Sequence, residues 1–251
     1  MPKAQWGEDA EFFGPRHDAR EARILRLLGG TPPGLHLECA AGLGSLAAKL
    51  TARGFRVVAA DASWKSLMVA KRLHGSVFYP VVADMCRLPF RGGVFASATS
   101  AETLEHIDDD GKALAELARV LVPGGVLAGT VPHDPQQWSS WDEWAGHRRR
   151  YTQGELAAKL SEAGFSPRVR DWGFPAVRLY DALFLRPLNR RRLELPGPAD
   201  SDPPLRWVAR LGRARPLVTV VGLVFRLDGL FAGSGRGVVL EFAARRLAEK
   251  A

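Results

Sequence analysis

Three acidic residues, each closing a short apolar run, are where chemistry is most concentrated in this sequence. Glu38 follows Leu35-His36-Leu37, Asp61 follows the run from Phe55 to Ala60, and Asp84 follows the run from Val77 to Ala83. Behind Glu38 comes Cys39-Ala40-Ala41-Gly42-Leu43-Gly44, a turn of small residues that lets a ligand approach the backbone. A helix from about Ser45 to Arg53 then aims its free N–H groups at the same place. A carboxylate at Glu38 disfavours a neighbouring phosphate and suits a cationic amino group or a ribose hydroxyl. Asp61, about twenty residues past the turn, suits a diol, because a carboxylate accepts two hydrogen bonds at once.

These residues need strands and helices to hold them. The runs ending at Glu38, Asp61 and Asp84 are followed by a fourth, Val94 to Ser100, and a fifth, Val126 to Val131. Helical stretches separate them. One precedes the first strand, from Arg20 to Leu28; another starts at Ser63, a side chain suited to capping, and runs to about Leu73. A third is capped within Asp108 to Asp110 and runs to Leu121, where Pro123-Gly124-Gly125 ends it. Thr152 and Glu155 form a capping box for a helix ending near Gly164, and strands follow at Ser166 to Trp172 and at Gly237 to Ala244. Alternation of this kind implies a doubly wound parallel sheet whose ligands sit beyond the carboxyl ends of the strands. Glu38, Asp61, Asp84 and Ala101 all fall at such ends.

Gly42-Leu43-Gly44-Ser45-Leu46-Ala47 fits the dinucleotide pattern G-x-G-x-x-G/A, but a pyrophosphate prefers a neutral or positive turn. Read from Glu38, the turn instead resembles the first motif of class I S-adenosylmethionine (SAM)-dependent methyltransferases, with Ala40 in place of that motif's usual first glycine. Asp84-Met85 with Leu88-Pro89-Phe90 resembles the motif that meets the adenine. Glu102-Thr103-Leu104-Glu105-His106 resembles the family's E-x-L-E-H stretch, and Leu121-Val122-Pro123-Gly124-Gly125 its L-x-P-G-G turn. His147-Arg148-Arg149-Arg150-Tyr151-Thr152, with Glu155-Leu156 and Ala163-Gly164-Phe165, resembles a branch acting on quinone precursors, sugars and lipid-linked glycans. The resemblance covers roughly residues 20–172 and resumes at the last strand.

What the resemblance implies is specific. The fold is Rossmann-like α/β, a doubly wound mostly parallel sheet with an antiparallel last strand and an insertion between the last two strands. SAM is held by Glu38, Ala40, Gly42 and Gly44 in the turn and by Asp61 and Ala62 after the second strand. Asp84 accepts from the adenine amino group, Met85 packs on the ring, and the backbone at Ala101 passes the sulfonium end. Arg16, His17 and Arg20 either reach the methionyl carboxylate or face water. His147 is the candidate proton acceptor for O-methylation of a small-molecule, sugar or lipid-linked acceptor, with His133 as competitor and His106 third. Glu105 and His106 read as structural, and no metal site is indicated. The alternatives are an NAD(P)-dependent oxidoreductase, for which no Tyr-x-x-x-Lys or comparable constellation is evident, and a non-catalytic protein with a degenerate methyltransferase fold.

The 251 residues divide into a lead-in and helix (1–34), a cofactor-binding core (35–173), a cap (174–235) and a last core strand with tail (236–251). A hydrophobic content of 46% suffices for a full core. The formal charge of +8 permits an anionic partner. No Asn/Asp-Pro-Pro-Tyr motif for a flipped base accompanies it, so nucleic acid is not the expected one. The cap concentrates the arginines, including Arg186, Arg190, Arg191 and Arg192, around a Pro-rich loop from Pro196 to Pro204. The apolar run Pro216 to Phe225 follows and is too short to span a bilayer, so it reads either as a helix packed on the main domain with surface arginines or as a peripheral contact with an anionic membrane. Cys39 and Cys86 are isolated, and the start lacks an apolar core, so the expected location is a reducing cytoplasm.

Overall fold

The structure, a computed structural model, describes residues 14–194, 202, 203, 207 and 214–248. The expected irregular lead-in before residue 14 lies outside the described residues, as does most of the Pro196 to Pro204 loop. Among the described residues seven strands form one sheet: β1 (Leu35–Cys39), β2 (Arg56–Asp61), β3 (Tyr79–Val82), β4 (Phe95–Ala101), β5 (Leu121–Pro132), β6 (Phe165–Trp172) and β7 (Val239–Arg246). Their spatial order is β3-β2-β1-β4-β5-β7-β6, with β7 antiparallel to both neighbours and every other pair parallel. The Rossmann-like doubly wound sheet with an antiparallel last strand is therefore present.

The sheet carries helices on both faces, each with its own apolar layer. On one face α1 (Pro15–Leu27), α2 (Ser45–Thr51) and α3 (Trp64–His74) bury Ile24, Leu46, Leu50 and Ala70 against Val57 and Phe78. On the other, α4 (Asp110–Val120) and α6 (Gln153–Glu162) bury Leu114, Leu117, Leu156 and Leu160 against Leu127 and Phe242. His36 is fully buried in β1, its ring nitrogens bonded to Ser97 Oγ (2.8 Å) and Thr99 Oγ1 (2.9 Å) across the strand pair. Burial pushes that imidazole down to about 3, so it stays neutral.

Two of the boundaries that differ from the sequence pattern have a clear physical reason. α1 begins at Pro15 rather than Arg20, because proline at the first helical position loses no useful donor. Pro123-Gly124-Gly125 does not separate helix from strand. α4 stops at Val120 and β5 runs through the turn, absorbed as a register shift between Phe95 and Ser97 with Gly124 at φ +78°.

Between β6 and β7 the chain leaves from the ligand end of the sheet. A helix runs continuously through α7 (Ala176–Tyr180), a π-helical turn (Asp181–Leu185) and α8 (Arg186–Glu194). A further helix, α9 (Arg215–Leu227), packs on α1 and α7. Phe225 and Val177 are buried with Trp172, Val238 and Val239. The Asp228 carboxylate accepts from the backbone N–H groups of Ala176 (2.8 Å) and Val177 (2.9 Å), which begin α7. One face of α9 is thus seated on the core, while Leu217, Val220, Leu223, Val224 and Leu227 stay exposed. Among the described residues no helix is long and apolar enough to cross a membrane.

Candidate active site

The β1–α2 turn needs left-handed backbone at three points: Ala40 (φ +55°), Gly42 (φ +51°) and Gly44 (φ +74°). Ala40 holds this conformation with a Cβ, at a cost on the order of 1 kcal/mol. Gly44 serves packing rather than ligand access, because a Cβ there would meet the Phe78 ring at 2.8 Å and the Ala70 Cβ at 3.1 Å. The turn positions open to solvent are Ala40 and, partly, Gly42 and Leu43. Asp61 locks the turn to the end of β2: Oδ2 accepts from Gly42 N–H (2.9 Å) and Oδ1 from Ser63 N–H (2.7 Å). Ala62 is exposed beside it.

Glu38 closes β1 with its side chain buried and its Oε2 without a partner. Burial pushes this carboxyl well above its ordinary value, with the negative charges of Glu21 and Asp61 adding, and the Ala47 N–H in the first turn of α2 opposing. Glu21, on α1, is different. It accepts from His17 Nε2 (3.0 Å), Ser45 Oγ (3.1 Å) and Lys49 Nζ (2.6 Å). Although burial works against it, these partners hold Glu21 at about 2. His17 and Arg20 therefore belong to an ionic network, with Arg20 Nη2 donating to His17 Nδ1 (2.9 Å), and Arg16 faces Asp181 at 3.5 Å. α1 is clamped to the sheet by a buried Arg23–Glu241 pair, with the guanidinium stacked 4.7 Å over Trp172.

Past β3, Asp84 is exposed and its Oδ1 accepts from Cys86 N–H (2.8 Å). The adjacent Met85 is buried in the core layer with Leu88 and Leu104. Past β4, Ala101 is half-buried, and Glu102 adopts φ +49° with its Oε1 buried and unpartnered. Strain of this kind in a non-glycine residue is most often kept at functional sites. The turn Leu104–His106 then buries Glu105 completely, with no partner for either carboxylate oxygen. Burial pushes Glu105 well above its ordinary value, and Glu102 adds to the shift.

The segment after β5 brings the histidines. α5 (Ser140–Ala145) starts with a capping box in which Asp142 Oδ2 accepts from Ser139 N–H (2.9 Å). It ends at Gly146, whose φ of +79° turns the chain back over the helix. Asp142 is fully buried and also accepts from His147 Nδ1 (2.8 Å) and, bidentately, from Arg150 Nε and Nη2 (2.8 Å each). Against the effect of burial, these donors hold its carboxyl well below the usual range. The His147 ring meets the His106 ring edge-on at 4.7 Å. Burial, with His147 adding, pushes His106 down to about 4. His133 is buried, its Nδ1 donating to the Gly237 carbonyl (3.0 Å).

The rest of the His-x-Arg-x-Tyr-Thr motif is scaffold. Arg149 (2.9 Å), Tyr151 OH (2.8 Å) and Lys159 (2.9 Å) all converge on the Asp110 carboxylate, and Thr152 caps α6. The segment between β6 and β7 supplies a residue with no sequence signal. The π-helical turn places Asp181 among Arg16, Arg150 and Glu102, with Oδ1 unpartnered and burial pushing the carboxyl up. Arg192 of α8 stacks 4.6 Å over Trp144, joining α8 to α5. Arg20 Nε, Glu38, Glu102, Glu105 and Asp181 thus leave buried polar atoms unsatisfied around the ligand ends of β1 and β4. Such a concentration of orphans marks a binding site rather than a finished core.

Comparison with known proteins gives the following. Residues 37–129 match a family model described as "Methyltransferase domain". The chain is 34% identical over 104 residues to a demethylmenaquinone methyltransferase of Renibacterium salmoninarum, covering 41% of this chain and 44% of that protein. It is 30% identical over 162 residues to a malonyl-[acyl-carrier protein] O-methyltransferase of Pseudescherichia vulneris, covering 62% of each. The matches therefore span about 44–62% of the length of these relatives. Among solved structures, a phosphoethanolamine N-methyltransferase of Haemonchus contortus in complex with S-adenosyl-L-methionine superposes with a TM-score of 0.64 at 18% identity, covering 97% of this chain and 56% of that one.

Proposed function

We propose that this chain is a SAM-dependent methyltransferase that O-methylates a small-molecule or lipid-linked acceptor. The observation that carries the reading is the unpartnered, buried carboxylate oxygen of Glu38 beside a left-handed small-residue turn fastened to Asp61. A cationic amino group is the ligand that such a carboxylate lacks. The match of residues 37–129 to a methyltransferase domain supports it independently. In this proposal residues 35–173 form the cofactor-binding core and 174–235 a cap over the acceptor.

The bound cofactor supplies a methyl group already activated by its sulfonium charge. The chain's own part is to bind, align and take up a proton. Glu38 binds the amino group. Asp61, with both oxygens already fixed by backbone donors, has lone pairs left for the ribose diol. Asp84 is open to the adenine amino group. Met85, being buried in the core layer, shapes the floor of that pocket through its backbone more than its side chain. His147 donates Nδ1–H to Asp142, which leaves Nε2 as the acceptor for a hydroxyl proton. His133, with Nδ1 committed to Gly237, is the competing base.

The relatives' printed names span a quinone precursor and an acyl-carrier-protein ester, so the acceptor class stays broad. Exposed Leu223, Val224 and Leu227 on α9, together with the arginines of α8, support peripheral docking on an anionic membrane that presents a lipid-linked acceptor. Isothermal titration with SAM and with NAD tests the cofactor. Binding of SAM alone is expected, and binding of NAD alone replaces the proposal with an oxidoreductase. Methyl transfer from labelled SAM across phenolic, glycosyl and lipid acceptors, read by product mass, tests the reaction. Co-sedimentation with anionic vesicles, weakened by salt, tests the docking.

A further inference from the structure

We propose that Glu105, His106 and His147 form a binding site for one divalent transition-metal cation. Each residue offers one ligand atom, and these atoms lie within 4.8 Å of one another. Ligands at about 2.0–2.2 Å from a common ion sit roughly 3–3.5 Å apart, so rotamer adjustment closes the remaining gap.

Three features mark the cluster as built. Glu105 is fully buried and, among the described residues, neither carboxylate oxygen has a hydrogen-bond partner. His147 gives its Nδ1–H to the Asp142 carboxylate, which turns a lone pair on Nε2 outward. One nitrogen of His106 is engaged by the Gly146 backbone, which fixes that ring in the same way. Metal-ligating imidazoles are held in this manner, each by an acceptor on the nitrogen away from the ion. Asp142 is itself fixed by Ser139 and Arg150, so the support extends one layer further. Glu102 stands beside the cluster, in strained backbone, with an unpartnered Oε1 available as a further oxygen ligand.

Two imidazoles and a carboxylate favour zinc, manganese or ferrous iron over the all-oxygen sites of magnesium and calcium. With three protein ligands, coordination positions remain for an incoming oxygen. The role of the ion rests on the methyltransferase reading, whereas its binding does not. With the ion bound, His147 Nε2 is a ligand, and this replaces the proton-acceptor role assigned to it in the metal-free protein. An acceptor hydroxyl bound to the cation then loses its proton to solvent water, because the cation stabilises the alkoxide or phenolate. That oxygen then forms the new C–O bond to the methyl carbon, and the C–S bond breaks with its electron pair passing to sulfur, which becomes a neutral thioether.

The test uses the full chain, stripped with a chelator and dialysed. Titration with zinc, manganese, cobalt and magnesium chlorides is followed by calorimetry, and the cobalt form by its visible absorption. One ion per chain is expected, with cobalt bands typical of mixed nitrogen and oxygen ligation. Glu105→Gln and His106→Gln should each weaken binding at least about a hundredfold. Asp142→Asn, which removes the support of His147, should weaken it about 10–100-fold. Thermal melts identify any variant that fails to fold, and the remaining variants then decide. Absence of binding tighter than millimolar, or equal binding in all folded variants, overturns the site. SAM is titrated separately into stripped and loaded protein. If the ion binds and SAM does not, the methyltransferase reading fails while the metal site stands.

Discussion

The two halves of the site are built on different principles. The Glu38–Gly42–Asp61 half arises from β1, β2 and the turn between β1 and α2, within a stretch of 24 residues. Backbone N–H groups hold it, so strand pairing alone sets its geometry. The Glu105–His147–Asp181 half gathers β4, the segment after β5 and the cap, and is held by side-chain contacts such as Asp142 with Arg150 and Arg16 with Asp181. A half made by the sheet can be inherited unchanged with the fold. A half made by loops and an insertion can be rebuilt for each acceptor. The contrast fits a chain that matches a methyltransferase domain through residues 37–129 and is similar to methyltransferases with differently named acceptors.

If the division is right, damage to the acceptor half should alter turnover or folding and spare cofactor affinity. The largest expected effect is on rate. His147→Ala should lower methyl transfer by about 10²–10⁴-fold, with SAM affinity nearly unchanged in calorimetry. A variant retaining more than about a third of wild-type turnover removes His147 and shifts the role to His133. Next is Asp142→Ala, which strands Arg150 and His147 beside a buried gap and should cost about 3–5 kcal/mol in urea unfolding. The carboxyl of Asp142 is depressed in the folded state, so its stabilisation is present above the unfolded carboxylate range and is lost as pH falls. Wild type and variant should therefore converge in acid; a constant difference from neutral pH into strong acid would show that the effect is not ionic.

Damage to the cofactor half should do the reverse. Glu38→Gln removes a charged acceptor for the amino group and should weaken SAM binding by on the order of 1.5–3 kcal/mol. The same substitution should raise thermal stability at neutral pH. Because burial raises the Glu38 carboxyl in the folded state, its favourable contribution is complete below the unfolded value and is lost as pH rises through the folded one. A Glu38→Gln protein that binds SAM normally breaks the comparison at its firmest point. The smallest effect concerns the strained turn. Ala40→Gly should relieve the left-handed backbone and stabilise by about 0.5 kcal/mol, after the added freedom of glycine in the unfolded chain is subtracted, with turnover retained. Destabilisation would mean that the Ala40 methyl makes a contact worth more than the strain.

The sequence by itself determined the sheet and the strand ends at which Glu38, Asp61 and Asp84 stand. Strand, turn and helix are local patterns, and each of Glu38, Asp61 and Asp84 sits where its own strand stops. The Pro-Gly-Gly boundary was misplaced because a bulge depends on what the neighbouring strand offers, which the local pattern does not contain. Met85 lies next to an exposed acid and yet belongs to the core, a choice made by α4 and β4. Only the tertiary structure decided the half around Glu105, His147 and Asp181. His-x-Arg-x-Tyr-Thr displays Arg149 and Tyr151 as prominently as His147, but both are spent on Asp110. Asp142 and Asp181 resemble any surface acid of a helix until α5 and the π-helical turn carry them inward. Glu105 and His106, structural by pattern, stand within ligand distance of His147, about forty residues further on, because the β5 excursion returns over the end of β4. Local sequence fixes the periodicity and the strand ends through backbone hydrogen bonding. Which side chains are left buried without partners is settled only when distant segments close over them.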